Sequence, residues 1–367
     1  MLLSRKTKLK LTPRHRDLMA KHAGIARFTY NWGLAMWESL YKDGLKPNHL
    51  LLKKFFNNEV KPVLPWIKEK GICQKVTEFA FENLGKAFKN FFEDRSKYPT
   101  FKRKGKADSF TINAGGKPIP IGGTKIKLPT IGWVSTYEGF PHTTVKSFTI
   151  SQQAGDWYIS CSYDIEQEIR EKEFDYVGVY LGLKKLAILS TGAVFANPKA
   201  LKNAQSKLTR LQRQLQRHEQ KSSRRKRQKL RISKAHRRVS NIRKDATHKA
   251  TSYISKNHAV IGIEDLNASG MMSNRKLAGA VADSNFYEFR RQIEYKALRY
   301  GSDVVLVDRW FPSTQLCSCC GQKKPMNLSE RIYSCDQCGL VLDRDFNAAL
   351  NLENYARKAK PCLDTDG

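Results

Sequence analysis

Two Cys-x-x-Cys pairs lie close together in the C-terminal part of this 367-residue sequence. Cys317 and Cys320 form the first pair, and Cys335 and Cys338 form the second after a short spacer. Two such pairs supply the four thiolates of a tetrahedral zinc site, and the glycine after each pair allows the positive φ of a knuckle turn. Because four protein ligands leave no open position, the segment predicts a structural zinc, with Cys319 as a bystander.

The other cysteines, Cys73, Cys161 and Cys362, are isolated in the sequence, and we expect them to be buried or idle thiols. The first residues, MLLSRKTKLKLTPRHRD, contain neither the apolar core nor the cleavage site of a signal peptide. No apolar run reaches the roughly 18 residues that a transmembrane helix needs. We therefore expect a cytoplasmic protein whose cysteines are reduced or metal-bound.

The charge balance is strongly basic, since 66 lysines and arginines face 34 acids and give a formal net charge of +32. A surface of this kind repels itself unless a polyanion covers it, and nucleic acid is the expected cover. An anionic membrane is the rival partner, but the sequence offers no spanning segment. The hydrophobic content of 40% excludes wholesale disorder.

The N-terminal region combines one strand with helices. Residues 1–12 alternate charge and apolarity, as in a strand, and Thr12 followed by Pro13 is typical of a helix N-terminus. Two helical stretches follow before Tyr98. The second carries an apolar stripe that we expect to belong to the core: Phe81, Leu84, Phe88, Phe91 and Phe92.

From about Phe101 the sequence changes to strand-length segments separated by glycine and proline. Such segments predict a small β-barrel or sheet domain. Because residues 1–12 also have the pattern of a strand, we interpret the helices at roughly 13–98 as an insertion into that β domain.

A basic helical hairpin is predicted at 198–256. Leucines form an apolar seam along it, and nearly every other residue is Lys, Arg or Gln, with Glu219 and Asp245 as the acids before Asn257. Partners for i,i+4 ion pairs are missing, which favours contact with nucleic-acid phosphates over a solvated charged face. The residues expected to contact a nucleic-acid backbone are Arg224, Arg225, Lys226, Arg227, Arg237 and Arg238.

After residue 172, strands alternate with helices, which points to a mixed α/β sheet. Glu264 ends the apolar strand HAVIGIE, and Asp343 and Asp345 directly precede a helix. Phosphodiester cleavage by two metal ions needs several carboxylates around cations about 4 Å apart. The sequence shows two of the three segments that would supply them. A helix cap is the alternative interpretation of Asp345.

Several blocks of the sequence resemble the TnpB family, which are transposon-encoded RNA-guided nucleases related to type V CRISPR effectors. The resemblance spans almost the whole chain. It implies a multidomain α+β protein: an N-terminal β-barrel (wedge) domain with a helical recognition insert, then an RNase H-like RuvC α/β domain with an inserted zinc ribbon. The resembling blocks are GIARFTYNWGL, KAFKNFF, GVYLGLKKLAILSTG, IGIEDLNASGM, NFYEFRRQIEYKA, DRWFPSTQLCSCCG and CDQCGLVLDRDFNAALN.

The resemblance also implies domain bounds and partners. In that family an RNA guides the protein to double-stranded DNA flanked by a short motif, so we expect a guide RNA and such a target. The expected readers of the motif, at a helix start where the sequence departs from the usual family pattern, are Gln74, Lys75, Thr77 and Glu78. The expected domains are the wedge (1–12 and 99–171), the recognition insert (13–98), the RuvC-like domain (172–310 and 339–367) and the zinc ribbon (311–338).

The chain departs from the family at one catalytic position. The family's first catalytic aspartate stands in a Gly-apolar-Asp-apolar-Gly strand, and Tyr180 takes that place here, whereas Glu264 and Asp345 match the second and third acids. Tyrosine is neutral at pH 7 and cannot balance two cations. Asp175, at an odd offset along the strand, faces away, and the lysines at 184–185 would repel metal. The three catalytic positions are therefore predicted to be vestigial.

The leading expectation is an RNA-guided DNA-binding protein without nuclease activity, similar to the TnpB-like repressors called TldR. It would block transcription in a prokaryotic nucleoid by forming an R-loop, with zinc as its only cofactor. One alternative is an active magnesium-dependent endonuclease that uses Glu264, Asp345 and a further ligand such as Asp343. Another is an RNA-binding accessory protein of transposition. The sequence leaves the oligomeric state open.

Overall fold

The first residues of the chain form a strand inside an antiparallel sheet, as predicted. In the computed structural model, which describes residues 1–106, 108–327 and 329–361, strand β1 spans Leu2–Lys10. Its odd-numbered Thr7 and Leu9 are buried, whereas Lys6 and Lys10 are exposed, so the strand has one core face and one solvent face. Cys362 lies outside the described residues.

Along the sequence, helices lie between β1 and the other strands of its sheet. The first unit of the fold, from Leu2 to Ile165, orders its strands β2-β5-β6-β1-β4-β3, all antiparallel. Among the described residues no ladder joins β2 to β3, so closure into a barrel stays a prediction. After β1 this unit contains α1 (Pro13–Lys42), α2 (His49–Phe55), short helical turns over 56–67, α3 (Lys75–Phe92), β2 (Ser109–Asn113), β3 (Ile119–Leu128), β4 (Gly132–Val145), β5 (Ser147–Gln153) and β6 (Asp156–Asp164).

Local sequence signals account for the helices of this unit. The Thr12 hydroxyl accepts a hydrogen bond from the His15 amide and Pro13 is the first residue of α1, so the predicted N-terminus is confirmed. In α3 the predicted core stripe is buried from Phe81 to Phe88, but it ends there. Phe92 is 68% exposed, because α3 ends at this residue and its last turn extends past the core.

The second unit, from Glu166 onward, is a mixed α/β fold with strand order β11-β10-β7-β8-β9. Strand β10 is parallel to β7 and β11, whereas β8 is antiparallel to both of its neighbours. In the described part of the chain, no helix is long and apolar enough to cross a bilayer. The elements are β7 (Phe174–Leu181), β8 (Lys185–Leu189), β9 (Val194–Ala196), α4 (Ala200–Gln216), α5 (Ser223–Asn257), β10 (His258–Glu264), α6 (Ala268–Met272), α7 (Ala278–Ser284), α8 (Phe286–Tyr300), β11 (Asp303–Val307), β12 (Ile332–Ser334), β13 (Val341–Asp343) and α9 (Arg344–Ala359).

Two glycines allow α9 to pack directly on this sheet. Gly178 of β7 lies opposite Gly262 of β10 in the parallel ladder. A Cβ on Gly178 would stand 1.8 Å from the carbonyl oxygen of Ala349, and one on Gly262 would stand 2.6 Å from that of Leu352. The helix backbone therefore occupies the space that side chains would fill at both positions.

Candidate functional site

The packing of α9 brings the three predicted catalytic positions into one neighbourhood. Tyr180 and Glu264 each lie two residues beyond a glycine of the pair, and side chains two apart on a strand share a face. Both therefore project from the face that α9 covers. Asp345 lies in the first turn of α9, at the end nearest them. Burial raises the pKa of the Tyr180 phenol, and the charges of Glu264 and Asp345 add to this effect, in keeping with their proximity.

Glu264 is held by one hydroxyl. The Ser313 hydroxyl donates a hydrogen bond of 2.6 Å to Glu264 Oε1. Burial, helped by the charge of Asp345 and opposed by this hydrogen bond, raises the pKa of Glu264 to about 7. At neutral pH the carboxyl group is therefore distributed between its protonated and ionised forms.

Asp345 already has a cationic partner. The guanidinium of Arg344 donates to Asp345 Oδ1 over 2.9 Å, and both side chains are largely buried, with 9% and 18% of their areas exposed. The neighbouring Asp343 is the N-cap of α9, because its carboxylate accepts from the backbone amides of Asp345 and Phe346 at 3.1 and 3.0 Å. The helix cap is thus Asp343, and the alternative that assigned this role to Asp345 is wrong.

Tyr180 stays protonated in this setting. Burial raises the pKa of its phenol well above the ordinary value of 10, and the charges of Glu264 and Asp345 raise it further, because a phenolate beside two carboxylates is disfavoured. Asp175 and the lysines at 184–185 are all exposed.

A cleft of about 630 Å³ opens beside Glu264 and contains residues that the sequence alone did not indicate. Arg290 of α8 and Arg309 both pair with Asp265, the residue directly after β10. The exposed ring of Tyr287 also lines the cleft. Asp265, the acid that follows Glu264, was the one sequence feature that could have indicated this cleft. Its arginine partners come from segments that only the fold brings together.

The four predicted zinc ligands form one cluster, which confirms the four-cysteine site. The Sγ atoms of Cys317, Cys320, Cys335 and Cys338 lie within 4.8 Å of one another. The Sγ–Sγ separations of 3.5 Å between Cys317 and Cys338 and 3.6 Å between Cys320 and Cys335 are close to a tetrahedral edge of about 3.8 Å, which follows from zinc–sulfur bonds of about 2.3 Å. Cys319 is exposed and outside the cluster, as expected.

The local backbone prepares this cluster for a cation. Gly321 and Gly339, after the two pairs, have φ values of 76° and 72°, as the knuckle turns require. The backbone amides of Cys338 and Gln337 lower the pKa of Cys335 to about 6, whereas the neighbouring cysteines raise the pKa of Cys320 and of Cys338 against the amides that contact them, because thiolates this close repel one another until a cation lies between them. A thiolate is the form that binds zinc, so the donor set fits a structural zinc ribbon.

The basic hairpin is present as α4 and α5, and its arginines divide into two groups. Arg224, Arg227 and Arg238 are among the solvent-facing members, together with the exposed or half-buried side chains at 226 and 237. The guanidinium of Arg225 instead donates to the carbonyl oxygens of Leu215 and His218, at 2.8 and 3.0 Å. Arg225 therefore fastens the turn of the hairpin, and its contact with a nucleic-acid backbone stays a prediction.

Asp283 joins this hairpin to the rest of its unit, a role that the sequence did not predict. Its side chain, 5% exposed, lies in α7 and forms an ion pair of 2.7 Å with Arg243 of α5. The same carboxylate accepts from the backbone amides of Leu201 and Lys202, in the first turn of α4. One buried acid thus anchors both helices of the hairpin, and a lone aspartate in the sequence gave no sign of this role.

The four residues expected to read a flanking motif are placed at the start of α3, but two of them face inward. Thr77 is buried and donates to the carbonyl oxygen of Gln74. The Gln74 amide in turn donates to the carbonyl oxygen of Ile67. Thr77 is thus a core residue, which corrects its assignment. Lys75 and Glu78 are half-exposed and form an ion pair of 2.8 Å.

Three family profiles match the sequence. They are described as "Helix-turn-helix domain", "Probable transposase" of the IS605 OrfB type, and "Cas12f1-like, TNB domain", over residues 1–46, 160–275 and 286–352. In the first range the structure has β1 followed by the single continuous helix α1, rather than two helices joined by a turn.

Curated proteins and a solved structure are similar over most of the chain. "Putative RNA-guided DNA endonuclease InsQ" of Escherichia coli (strain K12) is 34% identical over 91% of this chain and 87% of its own. "Putative RNA-guided DNA endonuclease" of Streptomyces pristinaespiralis is 35% identical over 78% of this chain and 72% of its own. The Cas12f1 chain of a Cas12f1-sgRNA-target DNA complex aligns with a TM-score of 0.56 and 14% identity, over 91% of this chain and 82% of that one. At 14% identity, this last similarity supports a shared fold only.

Proposed function

The chain belongs to the TnpB family of IS605-type transposon proteins, and from that membership we propose that it is an RNA-guided DNA-binding protein that does not cut its target. Relatives over most of its length are named as RNA-guided DNA endonucleases. The net charge of +32 and the exposed arginines of the hairpin suit a protein that holds two nucleic acids. The finer assignment, to nuclease-inactive repressors of the TldR kind, rests on Tyr180.

The observation that carries the proposal is a neutral phenol close to two acids. Tyr180 stands where the family pattern has an aspartate, with Glu264 and Asp345 as its charged neighbours. Two carboxylates carry at most two negative charges, and Arg344 already neutralises part of that charge. A pair of divalent cations needs a richer donor set. The residues present do not fit two magnesium ions, and no cleavage step is assigned to them.

Binding without cleavage has a direct consequence on DNA. Base pairing between guide and target strand supplies sequence specificity, while the protein contacts the backbone and a short flanking motif. Without cleavage the R-loop persists, and a persistent R-loop on a promoter obstructs polymerase. We therefore propose transcriptional repression in a prokaryotic nucleoid as the biological role.

The test is plasmid cleavage by the protein–guide complex in magnesium, together with binding to the same target. We expect guide-dependent binding and no cleavage for the native sequence. Tyr180→Asp should bind magnesium and cleave at least about 100-fold faster, since removing one transition-state charge stabiliser typically costs that much. Tyr180→Phe is the matched control, because it also removes the hydroxyl but adds no carboxylate, and it should bind without cutting.

Two outcomes would contradict the proposal. Cleavage by the native protein would mean that another donor completes the metal site, as in the endonuclease alternative that enlists Asp343. That alternative requires Asp343 to leave its capping position on α9. Binding to RNA without guide-directed binding to DNA would instead favour the accessory role in transposition.

A further inference from the structure

One face of α9 carries three asparagines that hold a segment of backbone. Asn347, Asn351 and Asn354 are spaced four and three residues apart, so their side chains lie on the same face of the helix, and we call them the asparagine ladder. The segment that they contact, residues 313–318, leads from Glu264 into the first cysteine pair, and we call it the entry arm. The ladder therefore fastens the beginning of the zinc ribbon to the helix that starts at the candidate site.

Asn347 holds the backbone on both sides of Cys317, the first cysteine of the cluster. Its side-chain nitrogen donates to the carbonyl oxygen of Leu316 over 2.7 Å, and its side-chain oxygen accepts from the backbone amide of Ser318 over 3.0 Å. Asn347 is fully buried, and buried polar groups that lose a hydrogen-bond partner are destabilising. This double contact fixes the path of the chain at the first zinc ligand.

The next member of the ladder holds the entry arm further back. Asn351 is also buried, and it donates to the carbonyl oxygens of Ser313 and Leu316, at 2.8 Å each. Asn354 is exposed and donates to the carbonyl oxygen of Ser318 over 3.2 Å. Exposed hydrogen bonds compete with water, so the two buried asparagines supply most of the attachment.

Ser313 connects the ladder to the candidate site. Its carbonyl oxygen accepts from Asn351, whereas its hydroxyl donates to Glu264 over 2.6 Å. The second cysteine pair reaches the same site by another route, because Cys338 is followed by β13 and then by the start of α9, where Asp345 lies. A zinc ion that joins the two cysteine pairs would therefore tie together the supports of both acids.

We propose that the zinc-loaded ribbon sets the orientation of Glu264 through the asparagine ladder and the entry arm, with Asn347, Asn351 and Ser313 as positioning residues. Coupling between two sites is carried by continuous networks of hydrogen bonds between rigid elements, and the ladder is such a network. Without zinc the first cysteine pair is no longer tied to the second, the entry arm loses part of its restraint, and the Ser313 hydroxyl is free to leave Glu264. The inference goes beyond the proposed function, because this coupling holds whether or not the chain cuts DNA.

Fluorine NMR of a label at Tyr180 tests the coupling in the full-length protein. 3-Fluorotyrosine at this position lies close to Glu264 and senses where its carboxyl group is held. We expect its resonance to shift when a chelator removes zinc and to return when zinc is restored. The same label at Tyr253, whose ring packs on Phe195 of β9, is the matched control and should not shift. An unchanged Tyr180 resonance would overturn the proposal. An equal response at Tyr253 would overturn it too, since it would show general unfolding.

Ser313→Ala separates transmission through the entry arm from any other effect of the metal. With zinc bound, this variant should shift the Tyr180 resonance by itself, because its side chain no longer holds Glu264. Removal of zinc should then add little, since two changes on one route are not additive. Ser313→Thr keeps the hydroxyl group and should retain the native resonance and the native response to zinc. A full zinc response in Ser313→Ala would show that the metal acts by another route and would refute the role of Ser313.

Zinc affinity measures the coupling from the other end. Asn347→Ala and Asn351→Ala should each weaken zinc binding on the order of 10-fold, the lower end for groups that orient the ligands of a metal. Competition with a chromophoric chelator gives these affinities. Asn354→Ala, the same substitution at the exposed member of the ladder, is the matched control and should keep the native affinity. Equal affinities in Asn351→Ala and Asn354→Ala would contradict the attachment of the ribbon through the buried asparagines.

Discussion

Gly178 and Gly262 lie opposite each other on two parallel strands, and the backbone of α9 fills the space above both. This contact fixes the helix against the sheet along its length. Because Tyr180 and Glu264 follow the two glycines at even spacing, the same contact sets the distance from the start of α9 to the strand ends. The absence of two side chains therefore positions the side chains of the candidate site.

Gly178→Ala should be strongly destabilising. Its Cβ would stand 1.8 Å from the Ala349 carbonyl oxygen, and backbone cannot move aside as a flexible side chain can. We expect a loss of about 3 kcal/mol in the free energy of unfolding, at the upper end for overpacked cores. Urea unfolding of the purified protein measures it.

Gly279→Ala is the matched control for this substitution. Gly279 lies in α7, and a Cβ placed on it would have no neighbouring atom within 4 Å, so alanine should be neutral or stabilise by up to about 1 kcal/mol. A Gly178→Ala protein as stable as this control would show that α9 does not rest on the sheet.

The zinc ribbon should bind one metal ion, and replacement of any one of its four cysteines should abolish that binding. Cys335→Ser should reduce the zinc content from about one ion per chain to nearly none, because serine does not replace a thiolate in a tetrahedral sulfur site. A colorimetric zinc assay after removal of free metal measures the ratio. Cys319→Ser, in the same knuckle but outside the cluster, should keep its zinc. Zinc loss in both variants would point to general unfolding instead of ligation.

Asp283→Asn should loosen the basic hairpin while the sheet stays folded. The carboxylate holds Arg243 and the first amides of α4, and a hydrogen-bonded charged group of this kind contributes about 1.5–3 kcal/mol. Hydrogen exchange at the amides of Leu201 and Lys202 should accelerate accordingly. Asp245→Asn removes only an exposed pair on α5 and should not change these two rates. Unchanged exchange in Asp283→Asn would refute the anchoring role.

Acid should weaken α8 by breaking the ion pair that Glu288 forms with Arg291 in the same helix. Its hydrogen bond with Arg291 holds the pKa of the carboxyl at about 2, below the ordinary 4.5. A lowered pKa contributes stability above pH 4.5, and that contribution is lost as pH falls from 4.5 towards 2. The stability difference between native protein and Glu288→Gln should be on the order of 1 kcal/mol near pH 6, allowing for solvent screening, and should vanish near pH 2. Urea midpoints across this range measure it, and a difference independent of pH would contradict the assignment.

Patterns repeated along the chain were enough to predict the main elements and the metal cluster. The spacing of Cys317, Cys320, Cys335 and Cys338 specifies its own geometry, because each pair forms a local turn. The alternation in residues 1–12 predicted β1 for the same reason. Such features depend on residues that are close together in the sequence, and they can therefore be predicted from it.

Roles that depend on one side chain's direction could not be predicted in this way. Arg225 and Arg224 are adjacent and identical in type, yet one turns back to the carbonyl groups of the hairpin turn and the other is exposed. Asp343 and Asp345 differ only in where α9 begins, a boundary that sequence fixes to within one or two residues. Asp283 has its partners about 40 and 80 residues away, at distances that only the packed helices define.

The central place of β1 in its sheet also has a consequence for synthesis on the ribosome. Lys10 pairs with Ser135 of β4 and Leu2 pairs with Asp164 of β6, so the first strand of this sheet to emerge waits until the last strand for one of its two partners. At about 5–20 residues per second, the nascent strand waits on the order of 10–30 s for β6. During that delay its amides are bonded only to water and are open to pairing with other chains. The repelling lysines at alternate positions along β1 would keep two nascent copies apart until translation delivers the proper neighbours.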